Sequence, residues 1–223
     1  TGAEILFDNR SSQPLTVNAQ LNDAGTDTLL HKHGSGTVNL NGRVTVAGIT
    51  RVSEGELAFG PLAAGSTHTI GRHFVMAGGE ETPVTARING ASQASTSDGQ
   101  FWVSTNAGDR CVLVLDGDLT VAGKHILVGG ELDASGAVIL RSGLFSVNSC
   151  MRSHEYYIGN KGGYGYHRIL GGELRNGKLS VGGANTLNYV KNIGVMDMFG
   201  GKVTVDDWGL FVGRGRGAGA LNI

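Results

Sequence analysis

The chain has 223 residues, 38 of them glycine and three proline, with 18 Lys+Arg against 19 Asp+Glu and a formal net charge of −1. That balance supplies no basic field to attract nucleic acid or an anionic membrane, and no apolar run approaches the roughly 18 residues of a membrane-spanning helix. Glycine far above its usual share of roughly 7%, with no Gly-X-Y period and little proline, excludes collagen-like and linker compositions.

Residues 1–33 predict irregular short strands at 3–7 and 15–19, broken by turn signals at Asp8-Asn9 and Asn22-Asp23-Ala24-Gly25. Residues 34–60, bracketed by Gly34 and Gly60, predict three strands (37–40, 44–47 and 56–59) with Gly42, Gly48 and Gly55 at the corners. Three strands and three corners make one coil of a triangular solenoid. Residues 61–80 continue less regularly. The polar stretch 80–100, with Glu80-Glu81-Thr82-Pro83 and Gly90-Ala91-Ser92-Gln93-Ala94-Ser95-Thr96-Ser97-Asp98-Gly99, predicts a protruding loop.

The regular array resumes at Gln100 and runs to the end. Gly143, Gly172 and Gly201 are 29 residues apart each time, and Gly117 precedes Gly143 by 26. Each opens an alternating strand, as in Asp118-Leu119-Thr120-Val121 and Lys202-Val203-Thr204-Val205-Asp206. No window carries the i, i+3, i+4, i+7 pattern of a helix. A period in this range, built from turn glycine and alternation, predicts an all-β stacked array. The whole chain, 1–223, reads as one β-solenoid domain of about eight coils with 26–29 residues per coil. At about 4.8 Å per coil that is a rod about 40 Å long. The last residues, 218–223, read as the middle of a repeat. The expectation is a segment of a longer chain or a unit that stacks end to end through open strand edges.

Side chains with chemistry are sparse. His31 and His33 share a strand face but lack a third ligand nearby, so a surface pair is expected and no metal set. Asp116 and Asp118 flank a glycine corner; a lap further on, the matching places hold Ser142 and Leu144, so no acidic column forms and turn-stabilising roles are expected. Gly159-Asn160-Lys161-Gly162-Gly163 and Gly213-Arg214-Gly215-Arg216-Gly217 lack the Gly-Lys-Ser/Thr of a phosphate loop and any helical context, so they read as corners. No catalytic residue and no cofactor site is expected. Cys111 and Cys150, 39 residues apart, leave open a disulfide or two partly buried thiols. The aromatic-rich stretch holding His154, Tyr156, Tyr157, Tyr164, Tyr166 and His167 is the candidate contact surface. Facing outward, these rings stack on sugar or a partner; facing inward, they form a core stack.

Two stretches carry a resemblance. Leu30-His31-Lys32-His33-Gly34-Ser35-Gly36-Thr37-Val38-Asn39-Leu40-Asn41-Gly42 resembles the opening of the autotransporter-associated β-strand repeat, and Val52-Ser53-Glu54-Gly55-Glu56-Leu57-Ala58-Phe59-Gly60 resembles its close. Residues 199–223 are similar to a related repeat of the same surface proteins. The middle departs, with Gly42-Arg43-Val44-Thr45-Val46-Ala47-Gly48 in place of the usual Asn-Thr-Tyr-Thr-Gly. The resemblance implies a right-handed parallel β-helix, and a stalk, filament unit or adhesin secreted by or displayed on a bacterial surface. It implies no activity. The alternative is a polysaccharide-binding or polysaccharide-cleaving protein of the same shape, using 80–100 and 154–168 as groove walls. Two or more convergent carboxylates in that groove would mark an enzyme. Expected partners are further copies end to end and a surface glycan, with no nucleic acid and no transmembrane segment.

Overall fold

The computed structural model describes residues 3–23, 28–78, 82–94, 99–122, 125–147, 155–183 and 192–223. Among the described residues there are 24 strands and no helix, and every strand pairing is parallel. The chain winds through three walls in turn. Wall one stacks Glu4–Asp8, Leu29–His33, Ile49–Val52, His73–Met76, Gln100–Val103, His125–Val128 and Glu155–Ile158. Wall two stacks Leu15–Val17, Thr37–Leu40, Glu56–Phe59, Val84–Ile88, Arg110–Leu115, Ser135–Leu140, Tyr164–Ile169, Ile193–Met198 and Ala218–Asn222. Wall three stacks Leu21–Asp23, Val44–Val46, His68–Ile70, Ser92–Ala94, Leu119–Val121 and Leu144–Val147.

Glu173–Val181 and Lys202–Val212 each serve two walls, continuing wall three with their first halves and wall one with their second. The corner between these walls shrinks there to a register shift between Asn176 and Lys178. Walls one and three therefore form one 15-stranded sheet, and wall two a separate sheet of nine. The expected all-β solenoid is the architecture found.

The core is a set of vertical ladders. Strand alternation sends every second side chain inward, and parallel register stacks equivalent positions lap on lap. In wall two one ladder runs Val38, Leu57, Ala86, Leu113, Val138, His167, Met196. In wall one the rings of Phe74 and Phe101 stack at 4.8 Å in a ladder that continues to Ile126 and Tyr156.

Glycine marks the corners for a steric reason. Gly143, Gly172 and Gly201 have φ of 80°, 78° and 78° and sit on one another; a Cβ on Gly172 would meet the Gly143 carbonyl oxygen at 2.3 Å. The 29-residue period is this corner. A second column, Gly136, Gly165, Gly194 and Gly219, is in register on the inner side of wall two. There the backbone of the preceding corner presses inward, and a Cβ on Gly165 would lie 2.0 Å from the Gly159 nitrogen.

Several expectations are corrected. Lap length is not confined to 26–29 residues: Val38 to its partner Leu57 takes 19, and His167 to Met196 takes 29. Residues 34–60 are more than one coil, because Ile49–Val52 is a further strand and Glu56–Phe59 lies directly on Thr37–Leu40. Gly34 and Gly60 belong to different corners: Gly34 abuts Asn9, whereas Gly60 abuts Asn41. Residues 1–33 are less irregular than expected, since Glu4–Asp8 lies in register with Leu29–His33, and Asn22 and Asp23 are in a strand, not a turn. The stretch 80–100 is not a protruding loop over its described length. Val84–Ile88 and Ser92–Ala94 are ordinary lap strands with Val84, Ala86, Ile88, Ser92 and Ala94 buried; residues 80, 81 and 95–98 lie outside the described residues.

Candidate functional site

The two strand faces divide the expected contact residues. Tyr156 and His167 point inward and are fully buried, on walls one and two. Their side chains meet, with the Tyr156 hydroxyl 3.0 Å from His167 Nδ1, and the ring of Phe145 from wall three packs against both at 5.7 and 6.2 Å. Burial holds the His167 imidazolium down to a pKa of about 3 and pushes the Tyr156 phenol upward. His167 Nε2 is buried without a hydrogen-bond partner. These two residues are a core stack and are unavailable to a ligand. His154 lies outside the described residues, as does Cys150; Cys111 is a buried free thiol whose pKa burial pushes up to about 12.

Tyr157, Tyr164 and Tyr166 point outward, but not to one place. Tyr157 is on wall one, 9% exposed, and its hydroxyl is raised by burial and by the neighbouring Glu155. Glu155 is itself buried, with its carboxylate 2.5 Å from Lys178 Nζ and 3.4 Å from the Arg214 guanidinium, and the Ser180 hydroxyl donates to it. Residue types alone did not single out this cluster, because its members come from three laps. Lys178 and Arg214 flank the Phe211 ring at 5.8 and 4.7 Å. The arrangement is a closed ion cluster.

Tyr164 and Tyr166 alternate with inward Gly165 on wall two and share its outer face. That face changes character along the rod. Its early laps present Thr37, Asn39, Glu56, Thr85 and Arg87. From Arg110–Leu115 onward the corresponding positions hold Val112, Val114, Ala137 and Ile139, then Tyr166 and Val195 in one column and Arg168 and Asp197 in the other. A groove of about 310 Å³ lies here, floored by Ser135, Gly136 and Ala137. Tyr164 and Tyr166 stand on one side of it, and Pro83, Arg110 and Val112 on the other. Beyond Tyr164 lies a second hollow of about 280 Å³, lined by Asp133, Ser135, Gly162, Gly163 and Ile193 among others. Tyr164, 40% exposed, is the partition between them.

The groove follows from side-chain size in register. Arg110, Ser135, Tyr164 and Ile193 occupy one outward column, and Val112, Ala137, Tyr166 and Val195 the next. Small residues between two larger rows leave a trough. Tyr166 is fixed in place: its hydroxyl donates to Asp197 Oδ2 at 2.8 Å, and Asn222 Nδ2 donates to the other carboxylate oxygen at 2.5 Å. These two hydrogen bonds hold the Asp197 carboxyl below its usual range, the Asn222 one more strongly, while burial and Asp197 raise Tyr166. Of the stretches expected as walls, 80–100 contributes Pro83 and 154–168 contributes Tyr164 and Tyr166; Arg110, Ser135 and Ala137 come from outside both.

The remaining polar groups serve the frame. His31 contacts Glu4 and Ser53, and His33 faces Glu54 at 3.5 Å; among the described residues no group of three or more His, Cys, Asp or Glu could hold a metal. Asp118 accepts the Leu144 N–H at 2.8 Å, the turn role expected of it, whereas the Asp116 side chain faces Arg87 and Arg141 on the neighbouring laps in place of the expected turn contact. Buried His68 accepts the Val44 N–H at Nδ1, so its Nε2 carries the proton donated to the Gly60 carbonyl at 2.9 Å. Lys32 lies in an inner ladder between Phe7 and Val52, and its ammonium is capped by the carbonyls of His33, Gly34 and Glu54.

No protein-family model matches the chain, and neither a curated protein nor a solved structure matches it. No helix of the described residues is long and apolar enough to cross a membrane.

Proposed function

We propose that the chain is a non-catalytic structural and adhesive segment of a secreted or surface-displayed bacterial β-solenoid. The observation that carries this reading is how the polar side chains are used. Lys32, His68 and Asp118 are committed to backbone groups, and Glu155 to the buried Lys178 ammonium and the half-buried Arg214 guanidinium. Such groups hold laps together and leave little chemistry to spare. The likeness of residues 30–42 and 52–60 to autotransporter-associated repeats supports the surface setting. End-to-end pairing of copies belongs to the same proposal, by the parallel strand pairing that joins one lap to the next.

A second reading, saccharide binding by the side wall, is favoured by Tyr164 standing between two hollows. A cleaving enzyme is less well supported: glycosidases use a pair of flanking carboxylates, and the two hollows are lined by one, Asp133. The experiment is incubation of the purified chain with acidic and neutral polysaccharides, followed by reducing-end and unsaturated-uronate assays. The expected result is no product over the protein-free control. Product formation that persists through repurification would overturn the non-catalytic reading.

A further inference from the structure

We infer that the groove on wall two is a subsite for an acidic sugar residue, with Arg110 taking its carboxylate and Tyr164 and Tyr166 stacking on the ring faces. This rests on the saccharide-binding reading above and specifies the class of saccharide.

The trough has the shape for a single ring. Arg110 and Tyr164 are two laps apart with Ser135 between them, a separation of about 9.6 Å between backbones. Side chains rising from both rows narrow that span toward the thickness of one flat ring. Tyr164 and Tyr166 are two residues apart on one strand, about 6.8 Å, so they offer two adjoining platforms along the trough.

The floor selects how a ligand is held. Arg110–Leu115, Ser135–Leu140 and Tyr164–Ile169 are interior strands, each paired on both sides. Their N–H and C=O groups are spent on the ladder, so an extended peptide finds no edge to add to. Recognition falls to the aromatic faces, the Ser135 hydroxyl and the one charged group. Ring stacking with a few fixed polar groups suits a sugar.

Charge chooses the kind of sugar. Arg110 is exposed and has no carboxylate within salt-bridge distance among the described residues. The residues lining its side of Tyr164 include no Asp or Glu. One guanidinium, planar and forked, matches one carboxylate. A phosphate dianion would call for more positive charge than the groove holds. Across Tyr164 the sign reverses: Asp133 lines the second hollow and accepts from the hydroxyls of a neutral neighbouring ring. The site therefore fits a chain in which an acidic ring adjoins a neutral one.

The test is calorimetric titration of the whole chain with a hyaluronan hexasaccharide, in which uronate and neutral amino sugar alternate, and with chitohexaose as the uncharged counterpart. The wild type is expected to bind the acidic probe at least tenfold more tightly. Arg110→Gln is expected to remove that preference by weakening the acidic probe to the level of chitohexaose, and Tyr164→Ala to weaken both probes at least tenfold. Both side chains are outward, and circular dichroism checks that each variant retains its strands. Equal binding of the two probes by the wild type, or an unchanged preference in Arg110→Gln, would overturn the acidic assignment while leaving saccharide binding intact. Binding of neither probe would overturn both. Tighter binding of AMP than of either sugar, lost in Tyr164→Ala, would reassign the groove to a nucleotide.

Discussion

The buried Tyr156–His167 pair makes the stability of this rod depend on pH through one identifiable proton site. Folded, the imidazole stays neutral until the pH approaches about 3; in the unfolded chain it takes a proton below the ordinary 6.5. Between those values the unfolded state binds more protons, so stability is full above pH 6.5 and is lost as the pH falls. Each unit is worth about 1.4 kcal/mol, which gives a loss of about 2 kcal/mol at pH 5 and about 4 kcal/mol at pH 3. Against a total of roughly 5–15 kcal/mol for a folded domain, that is a large share. His68 is also buried with its imidazolium disfavoured by burial, so it adds a loss of the same sign. The discriminating variant is therefore Tyr156→Phe/His167→Met, which keeps the ring against Phe145 and places Met beside Val138 and Met196 in the ladder. Each single change orphans a buried polar group and is expected to cost about 1–3 kcal/mol at pH 8; the double change removes both partners and is expected to be near neutral. Urea denaturation followed by circular dichroism at pH 8 and pH 5 measures both effects. The wild type should lose about 2 kcal/mol more than the double variant over that interval. Equal losses would show that His167 is not held neutral in the folded rod, and the reasoning would fall.

Two further outcomes follow from the packing. Gly165→Ala puts a Cβ 2.0 Å from the Gly159 nitrogen and 2.4 Å from the Val128 carbonyl oxygen, and is expected to cost more than about 4 kcal/mol; Gly209→Ala, with φ of 100° and open space around it, should cost only the backbone strain of about 1–2 kcal/mol, and thermal melts of the two compare them directly. Glu155→Gln leaves Lys178 buried without its carboxylate and should lower stability by about 3–5 kcal/mol, with most of it recovered in Glu155→Gln/Lys178→Met; a urea midpoint within error of wild type for the single variant would mean that the ion cluster is not buried in solution.

What was legible in the residues was local and repetitive. Gly143, Gly172 and Gly201 announced a corner because each needs a positive φ and sits on the next, and alternation in 202–206 announced a strand because Val203 and Val205, half-buried, pack against the core on one face. The strand Ile49–Val52 was not legible because its alternation is inverted: Ile49 and Arg51 face out, and Thr50 is buried beside Val52. Residues 92–94 looked like loop because their inward side chains are Ser and Ala. They are small because Ser92 stacks directly on the larger His68, a relation between laps that a linear reading cannot supply. The fate of the tyrosines was a question of parity. Once Ile169 and His167 are known to face the core, Tyr164 and Tyr166 must face out, but nothing within residues 154–168 sets which parity is inward. The groove was hidden for a related reason, since its depth comes from Ser135 and Ala137 lying one lap beneath the two rings.

The passage from wall three to wall one differs from lap to lap more than any ladder does. Two residues, Ala47 and Gly48, suffice between Val44–Val46 and Ile49–Val52; seven separate Leu144–Val147 from Glu155–Ile158; within Glu173–Val181 the turn is absorbed inside one strand. The stack above and below keeps its alignment through all of these. Evolution, or an engineer, therefore has a permissive seam running the length of the molecule, where inserted sequence would decorate the shaft without disturbing how its rungs are joined.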